Sequence, residues 1–418
     1  MRRMIPGVRG DEDGSPPQRL LPSHEVDEHE APALARAHAV DPELHGGEAA
    51  VRAPGGNPPQ DDRPRIRAPG VDYNPATRRP RLAHPALRAV IVLLSTAALV
   101  VVPEAAAQPP AARPAIPVIL DTDIGDDIDD TWALILALKS PELDVKLVVT
   151  DFGNTEQRAR IVARVLELAG RTDIPIGIGI KENDDPGPQA EWVKGYDLAK
   201  YPGRVHRDGV KALIDTVMAS PEPMTLIAIG PPPNLKAALE REPRIAGKLR
   251  LAGMYGSIHK GYDGKSKPEP EWNVKANPAA ARAVLSAPWR EAILTPLDTC
   301  GRVQLSGERY ARIRGSSDPL LRGLVEAFST WCQNRDWCTK DPAFVSAKSS
   351  TLFDCVAVYL AISRDLVKTE TTGVRVTDEG MTVPDPTARA ATWATEWRSL
   401  DGFEEWLTAR LTTPATRR

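Results

Sequence analysis

The sequence lacks the motifs that identify several common classes of binding protein. None of its four cysteines forms the Cys-x-x-Cys pair that is typical of a zinc site. Neither glycine-rich phosphate motif occurs, whether Gly-x-x-x-x-Gly-Lys-Ser/Thr or Gly-x-Gly-x-x-Gly. The formal net charge is −3, and there is no basic block after residue 107. A nucleic-acid partner is therefore not expected.

The N-terminal part of the chain also lacks what a folded core needs. Residues 1–85 are rich in Pro, Arg, Gly and Ala without a sustained apolar period, so we predict a disordered extension there. Residues 86–107 have the features of a secretory signal peptide: a basic flank, an apolar stretch of 14 residues (89–102) and a small-residue cleavage site ending at Ala107. That stretch is too short to span a bilayer comfortably. The mature protein is expected to be exported, periplasmic or secreted, without a stable membrane span. Because signals begin near the N-terminus, we suspect that the assigned start lies too early.

Removal of the signal would leave 418 − 107 = 311 residues, a length that suits one large domain. From Ile116 onward, short apolar runs alternate with helical patterns, as in Ile116–Leu120 followed by the helical run from Thr131. We predict one α/β domain over residues 116–410. It should have a mostly parallel central sheet with helices on both faces, turning mainly helical after Gly301.

The cysteines leave one question open. Cys332 and Cys338 could pair in an oxidising compartment, but two positions on one continuous helix would be badly placed for a disulfide. The sequence does not decide between these alternatives.

The most acidic segment follows the first predicted strand. Asp121-Thr-Asp-Ile-Gly-Asp-Asp-Ile-Asp-Asp130 carries six aspartates in ten residues, between an apolar run and a buried helical pattern. Adjacent carboxylates repel one another, and a hard cation such as Ca²⁺ or Mg²⁺ relieves the repulsion. A helix–loop–helix calcium loop does not fit, because its sixth and twelfth positions would hold Asp126 and Trp132. A phosphatase that uses Asp121 as its nucleophile and Asp123 as its acid remains an alternative; it would require Mg²⁺ and a downstream Lys in the pocket.

Polar residues follow the other predicted strands as well. In a parallel sheet these positions share one edge, where ligands bind. Acids and amides at such an edge suit a polyhydroxylated ligand together with a hard cation. The residues in question are Asn154, Pro231 to Asn234, Glu271 to Asn273, Asp298 and Asp354.

Taken together, these segments resemble the calcium-dependent nucleoside hydrolases of the inosine–uridine-preferring type. The likeness extends over about residues 116–410 and rests on six ordered matches. They are Asp121-Thr-Asp-Ile-Gly with the later Asp-Asp pair, Val149 to Asn154, Val205 to Gly209, Gly230-Pro-Pro-Pro-Asn234, Gly264 to Asn273, and Phe353-Asp354 with Ala357-Val358.

The resemblance implies hydrolysis of the N-glycosidic bond of ribonucleosides or related N-ribosides, with Ca²⁺ as cofactor and a small-molecule nucleoside as partner; a homo-oligomer is compatible with it. Asp123 would take a proton from a calcium-bound water. The implied calcium ligands are Asp123, Asp130, Asp354 and the carbonyl of Pro233, with Asp127 as a competing acid. The implied contacts to the ribose are Asp129, Asn154, Glu271 and Asn273; for the base we expect stacking by Phe353 or by a Trp such as Trp132 or Trp272.

The chain departs from the family pattern at four places. Its acidic loop is two residues longer, so Asp126-Asp127 compete with Asp129-Asp130; we favour the later pair because it directly opens the helix. Pro233 replaces a Thr, and Lys265 replaces an Asn that contacts the ribose. Phe353 replaces the His that protonates the leaving base, and Phe cannot donate a proton. A non-catalytic, calcium-dependent protein that binds ribose or nucleosides therefore stays open as a second alternative.

Overall fold

The computed structural model describes residues 114–341 and 343–414, so the predicted extension and signal peptide lie outside the described residues. The strands are β1 Ile116–Thr122, β2 Leu143–Thr150, β3 Ile176–Ile178, β4 Val205–His206, β5 Met224–Ala228, β6 Leu249–Met254, β7 Glu291–Thr295, β8 Val367–Val376, β9 Thr382–Pro384 and β10 Ala390–Trp397. The helices are α1 Asp129–Lys139, α2 Thr155–Leu168, α3 Gly209–Ala219, α4 Pro233–Arg241, α5 Ile245–Lys248, α6 Trp272–Ala276, α7 Pro278–Ser286, α8 Leu297–Cys300, α9 Gly307–Arg314, α10 Pro319–Gln333, α11 Asp336–Thr339, α12 Phe344–Ala347, α13 Phe353–Ile362 and α14 Leu400–Thr412.

All ten of these strands form one sheet in the order β4-β3-β2-β1-β5-β6-β7-β10-β8-β9. The pairs from β4 to β7 are parallel, and so is the pair of β7 with β10. This arrangement confirms the predicted mostly parallel α/β sheet. The chain order reverses between β1 and β5, which lie side by side at the centre. Such a switch point opens a crevice at the carboxyl ends of the strands, where ligands bind in open α/β sheets.

Buried apolar side chains cover both faces of the sheet. Along β1, Val118 and Leu120 belong to one core cluster, whereas Ile119 belongs to the other. This alternation is what a strand with two buried faces requires, because successive side chains point to opposite sides. The first cluster includes residues of α1, α2, α10, α13 and α14, and the second includes residues of α3, α4 and α7. The prediction of helices on both faces is thus confirmed.

The prediction that the chain turns mainly helical after Gly301 is wrong for its last part. β8 and β10 form an antiparallel pair, and β9 adds to β8. The segment Val367-Lys-Thr-Glu-Thr-Thr-Gly-Val-Arg-Val376 is rich in β-branched residues that favour strands. Only some of its side chains are buried, so it lacks the continuous apolar run that identified the central strands.

Helices α1 and α13 bring distant acidic residues together. Every residue of α1 except Leu138 is buried, and in α13 the buried run extends from Asp354 to Ala361. Two helices that are apolar nearly all round must lie inside the molecule, and these two pack against each other and against the sheet. Their N-terminal turns carry Asp129, Asp130 and Asp354. The burial of the two helices therefore places three carboxylates at the crevice.

The cysteine question is answered by a break between two helices. α10 ends at Gln333 and α11 begins at Asp336, and Cys332 and Cys338 form a disulfide across this break with a Cα–Cα distance of 5.3 Å. Cys300 and Cys355 are buried free thiols. Among the helices of residues 114–341 and 343–414, we find none that combines the length and hydrophobicity needed to cross a bilayer.

Candidate active site

An acidic pocket lies at the crevice beyond the ends of β1, β5 and β6. Its acidic wall comes from the β1–α1 loop and the start of α13, and its opposite wall comes from the segment that leads into α6. We call this site the acidic pocket; it is lined by Asp123, Asp126, Asp127, Asp129, Asp130, Ile229, Met254, Tyr262, Glu271, Trp272, Asn273, Phe353 and Asp354. The structure thus brings together most of the predicted site residues.

Three carboxylates converge on one side of this pocket. Asp129, Asp130 and Asp354 each offer a ligand oxygen, and these oxygens all lie within 4.8 Å of one another. The Asp130 carboxylate accepts a hydrogen bond from Thr122 Oγ1 at 2.5 Å, and Asp129 Oδ2 accepts one from the Asp354 backbone N–H at 3.1 Å. Burial and the neighbouring negative charges raise the pKa of all three carboxyls well above the usual range.

This donor set fits a hard divalent cation. All three groups are oxygen donors and all are buried, and the charges of Asp129 and Asp130 raise the pKa of Asp354, so a positive ion among them would remove the repulsion. The first turns of α1 and α13 also favour negative charge through the helix dipole. The sequence assigned Asp130 and Asp354 to the metal but Asp129 to the ribose. In the structure Asp129 belongs to the same cluster.

Asp123 lies beside this cluster at the end of β1. It is buried, and burial raises its pKa to about 7, while the nearby Arg158 guanidinium acts in the opposite direction. Arg158 donates to the backbone carbonyls of Asp123 and Ile124, and its Nε donates to the backbone carbonyl of Phe152 at 2.7 Å. One arginine of α2 thereby fixes the backbone of the acidic loop. Sequence reasoning missed it, because an arginine inside an amphipathic helix carries no distinguishing pattern.

The two additional residues of the acidic loop line the acidic pocket and also form hydrogen bonds outside the carboxylate cluster. The Asp126 carbonyl accepts hydrogen bonds from Trp331 Nε1 at 2.8 Å and from Arg335, which also pairs with the Asp126 carboxylate at 3.1 Å. Asp127 accepts from the Ile128 N–H at 2.6 Å through its side chain. α1 begins at Asp129, as favoured from the sequence. The longer loop thus links the pocket to α10 and α11.

Glu271 and Asn273 are held rigidly on the opposite wall. The Glu271 carboxylate caps α6 by accepting from the N–H groups of Asn273 and Val274, and it also accepts from Gly256. Burial raises the pKa of Glu271 to about 7. The Asn273 Nδ2 group donates to the carbonyls of Ile229 and Met254 at 3.1 and 3.0 Å. Because its donors are committed, the amide oxygen of Asn273 is left as an acceptor for a ligand.

Aromatic side chains form the rim of the acidic pocket. Tyr262 and Phe353 meet edge to face with ring centroids 6.1 Å apart, and Trp272 meets Phe152 in the same way at 6.1 Å. Phe152 has a positive φ of 51°, a backbone conformation that is uncommon for a bulky residue. Tyr262 was missed from the sequence, because it lies in a loop with no motif of its own.

Other predicted residues lie apart from this pocket. Asn154 caps α2 by accepting from the Gln157 N–H at 3.2 Å, which is the ordinary role of an N-cap residue. Pro233 is the buried first residue of α4 and is not among the residues that line the pocket. Lys265 pairs with Glu269 at 3.0 Å. The proposed contacts of Asn154 with ribose and of the Pro233 carbonyl with calcium stay predictions.

A further buried carboxylate, which the sequence did not single out, lies next to Gly230. Asp151 is fully buried, and burial together with the Asp121 charge raises its pKa well above the usual range. A Cβ atom on Gly230 would lie 2.5 Å from Asp151 Oδ1 and 2.8 Å from Asp123 Oδ1. Glycine is therefore required at position 230, because any side chain would collide with both acids.

The fold and the pocket define an α/β protein with a cluster of buried carboxylates and a polar wall at a topological switch point. A sequence profile described as inosine-uridine preferring nucleoside hydrolase matches residues 118–405. The chain belongs to this family, and it is an enzyme that hydrolyses the N-glycosidic bond of ribonucleosides.

Individual relatives agree with this assignment. The chain is 31% identical to the pyrimidine-specific ribonucleoside hydrolase RihA of Citrobacter koseri over 237 residues, which are 53% of this chain and 74% of that protein. Among solved structures, the plant nucleoside hydrolase PpNRh1 superposes with a TM-score of 0.60 at 24% identity, covering 72% of this chain and all of the plant chain. A purine-preferring ribonucleoside hydrolase from Gardnerella vaginalis gives 0.58 at 20% identity, covering 71% and 98%. These two structures support the fold.

Proposed function

We propose that the protein is a calcium-dependent ribohydrolase whose ion is held by Asp129, Asp130 and Asp354. The observation that carries this proposal is the convergence of three buried carboxylates opposite the oriented Glu271–Asn273 wall. Oxygen donors of this kind suit a hard cation, and Ca²⁺ accepts the irregular geometry that three helix-borne carboxylates would supply. Calcium, when bound, would supply positive charge that makes a nearby water easier to deprotonate.

Of the remaining residues in the acidic pocket, one would transfer a proton and two would bind the sugar. Asp123 would act as the general base that takes the proton of the attacking water, because it lines the acidic pocket beside the carboxylate cluster. Asn273 and Glu271 would accept hydrogen bonds from the ribose hydroxyls. The surrounding carboxylates would stabilise the positive charge that develops on the sugar as the N-glycosidic bond breaks.

The alternative phosphatase mechanism is disfavoured by the position of Asp121. Its side chain is fully buried, and its Oδ2 accepts from Asn234 Nδ2 at 3.0 Å. A nucleophile must reach its substrate, and Asp121 does not line the acidic pocket. The lysine that such a phosphatase requires is also missing from the lining of this pocket within residues 114–341 and 343–414.

Removal of calcium tests the proposal directly. We expect release of ribose from purine or pyrimidine ribosides when Ca²⁺ is present, and loss of this activity in excess chelator. Reducing-sugar formation measures the reaction, and phosphate release from a phosphomonoester provides the control for the alternative mechanism. Undiminished hydrolysis in chelator, with the ion shown to be absent by elemental analysis, would contradict the calcium assignment.

Removal of calcium should also lower the free energy of unfolding, by an amount that depends on pH. Asp123 and Glu271 have folded-state pKa values of about 7, above their unfolded values near 4. The calcium-free folded state thus binds more protons than the unfolded state in this window, and its free energy of unfolding falls as pH rises from about 4 to about 7. Calcium would bind the ionised forms of Asp129, Asp130 and Asp354, whose pKa values burial also raises, so its stabilising effect should be larger at about pH 8 than at about pH 5. Thermal unfolding with calcium and with chelator at both pH values measures the difference; equal shifts would argue against a carboxylate site.

We also propose that the protein is exported. The proposal is supported by the signal-like segment 86–107 and by the Cys332–Cys338 disulfide, since disulfides persist mainly in oxidising compartments. We expect the exported protein to begin near residue 108, which N-terminal sequencing of the extracytoplasmic fraction would establish. A mature end near Met1 would contradict both the signal and the suspected later start.

A further inference from the structure

The acidic loop between β1 and α1 is held by side chains from the end of α10 and from the segment that follows it. The carbonyl of Asp126 accepts hydrogen bonds from Trp331 Nε1 at 2.8 Å and from Arg335 Nη2 at 3.0 Å. The same Nη2 group donates to the Asp126 carboxylate at 3.1 Å. Asp126 in turn donates its N–H to the Asp123 carbonyl at 3.4 Å. Two steps of hydrogen bonding therefore connect Arg335 with Asp123 in the acidic pocket.

The Arg335 guanidinium has a geometry that suits this contact. Its Cζ atom lies 5.4 Å from the centroid of the Trp331 ring, and the Arg335 side chain is 19% exposed. One terminal nitrogen of a guanidinium carries two N–H donors in a fixed plane, so it can bond a carbonyl and a carboxylate of one residue at the same time. An ammonium group at the end of a flexible stem does not reproduce this arrangement.

A disulfide restrains the backbone of Arg335. Cys332 and Cys338 are joined, and Arg335 lies midway between them in the chain. The Arg335 N–H donates to the Cys332 carbonyl at 3.0 Å, and the Cys338 N–H donates to the Arg335 carbonyl at 2.9 Å. Both cysteines are buried. The covalent ring therefore limits where the guanidinium can be placed.

The next residue of the acidic loop is held from another direction. Gln189 is fully buried; its Nε2 donates to the Asp127 carbonyl at 3.0 Å, and its Oε1 accepts from Thr131 Oγ1 at 3.1 Å. α1 begins two residues after Asp127, with Asp129 and Asp130 in its first turn. Because two consecutive carbonyls of the loop are bonded to other segments, those segments determine where the carboxylates on either side of them lie.

We propose that Arg335 is a positioning residue for riboside hydrolysis. Restrained by the Cys332–Cys338 disulfide, it holds the acidic loop in the conformation that aligns the carboxylates of the acidic pocket. It acts through Asp126 rather than on the reacting atoms. The inference rests on the proposed function for the role of calcium, whereas its effect on the rate of hydrolysis is measured independently of that role.

The direction of the change in calcium affinity separates positioning from simple charge. Arg335 is a cation near a cluster of acids, so on charge alone its removal would strengthen the binding of Ca²⁺. We expect the opposite: Arg335→Ala should weaken calcium binding about tenfold and lower kcat about tenfold, because the loop loses its charged hydrogen bonds. Arg335→Lys keeps the charge but not the planar pair of donors, so it should change both quantities in the same direction. Titration calorimetry and initial rates of ribose release at saturating calcium measure the two effects.

A direct contact of Arg335 with the substrate has to be distinguished from positioning. Arg335 and Trp331 line a cavity that shares three residues with the acidic pocket, namely Asp127, Tyr262 and Phe353. Calcium affinity is therefore measured without substrate. Loss of a direct contact would raise KM and leave calcium affinity unchanged, whereas a displaced loop lowers calcium affinity and kcat.

Arg164→Ala provides a matched control. Arg164 lies over a tryptophan as Arg335 does, with its Cζ 4.3 Å from the centroid of the Trp192 ring. It also donates to a backbone carbonyl, that of Trp192, and pairs with Glu326 at 3.6 Å. It is not among the residues that line the acidic pocket or the adjoining cavity in the described chain. Arg164→Ala should therefore leave kcat and calcium affinity unchanged.

Replacement of both disulfide cysteines tests the covalent restraint. The double variant Cys332→Ala with Cys338→Ala should weaken calcium binding and lower kcat in the same direction as Arg335→Ala. Adding Arg335→Ala to it should have little further effect, because both changes release the same contact. Fully additive effects would contradict the claim that the disulfide acts through Arg335.

Two results for the arginine variants would overturn the inference. One is calcium binding by Arg335→Ala that equals or exceeds that of wild type; the other is a raised KM with wild-type kcat and calcium affinity. If the wild type itself does not bind calcium, the proposed function fails in that respect. The kcat values of Arg335→Ala and Arg335→Lys then still decide the inference, with wild-type kcat in both counting against it.

Discussion

Asp354→Asn is expected to lower kcat for riboside hydrolysis by about 10³-fold and to weaken calcium binding. The Asp354 carboxylate is buried within 4.8 Å of its two partners, and an amide in its place offers the cation a neutral oxygen instead of a charged one. Initial rates of ribose release at saturating calcium measure kcat, and titration calorimetry measures affinity for the ion. Asp365→Asn changes an exposed acid just beyond α13 and should leave both quantities unchanged.

Asp123→Asn distinguishes the role of a calcium ligand from that of the general base. It should lower kcat as strongly as Asp354→Asn, because it removes the group assigned to proton abstraction. Its calcium affinity should fall less, because Asp123 lies beside the cluster of Asp129, Asp130 and Asp354 rather than within it. Full activity in either variant would refute the assignment. Equal losses of calcium affinity in both would return Asp123 to the ligand set that the resemblance implied.

Continuous burial is the physical reason why much of the fold could be predicted from the sequence. β1 Ile116–Thr122 contains the whole predicted run Ile116–Leu120, and α1 Asp129–Lys139 contains the start of the helical run predicted from Thr131. Such elements are apolar for several residues in succession and are bounded by polar or turn residues. β8 and β10 were missed because they lie towards one edge of the sheet, where one face is partly solvated and the pattern is diluted.

Some residues of the site could likewise be predicted from the sequence, and others could not. The acidic loop, Glu271, Asn273 and Asp354 could be predicted because each directly follows a strand or opens a helix at the shared edge of the sheet. The neighbouring cavity lined by Tyr262, Trp331 and Ser350 could not be predicted, because these residues belong to segments that lie far apart in the chain. No local pattern records that they meet. The grouping of Asp129 with Asp354 is also a tertiary property, since it depends on how α13 packs against α1.

Ribosides should be preferred over 2′-deoxyribosides by about 10⁴-fold in kcat/KM. The polar wall is built to accept hydrogen bonds: the Asn273 amide is oriented by two backbone carbonyls, and the Glu271 carboxylate is fixed by three N–H groups. These groups cannot rotate to find other partners, so a missing hydroxyl would leave a buried acceptor unpaired. Competition between a riboside and its 2′-deoxy analogue measures the ratio.

Asn273→Ala shows whether the rigid wall causes this discrimination. The variant removes one oriented acceptor, so kcat/KM for the riboside should fall much more than that for the deoxyriboside, and the ratio should shrink by at least about tenfold. The control is Asn334→Ala, which removes an exposed amide that donates to the carbonyls of Pro188 and Thr330 and does not line the acidic pocket. If the ratio in Asn273→Ala equals that of wild type, the sugar must be selected by other acceptors of the acidic pocket, namely Glu271 or the carboxylates of the opposite wall.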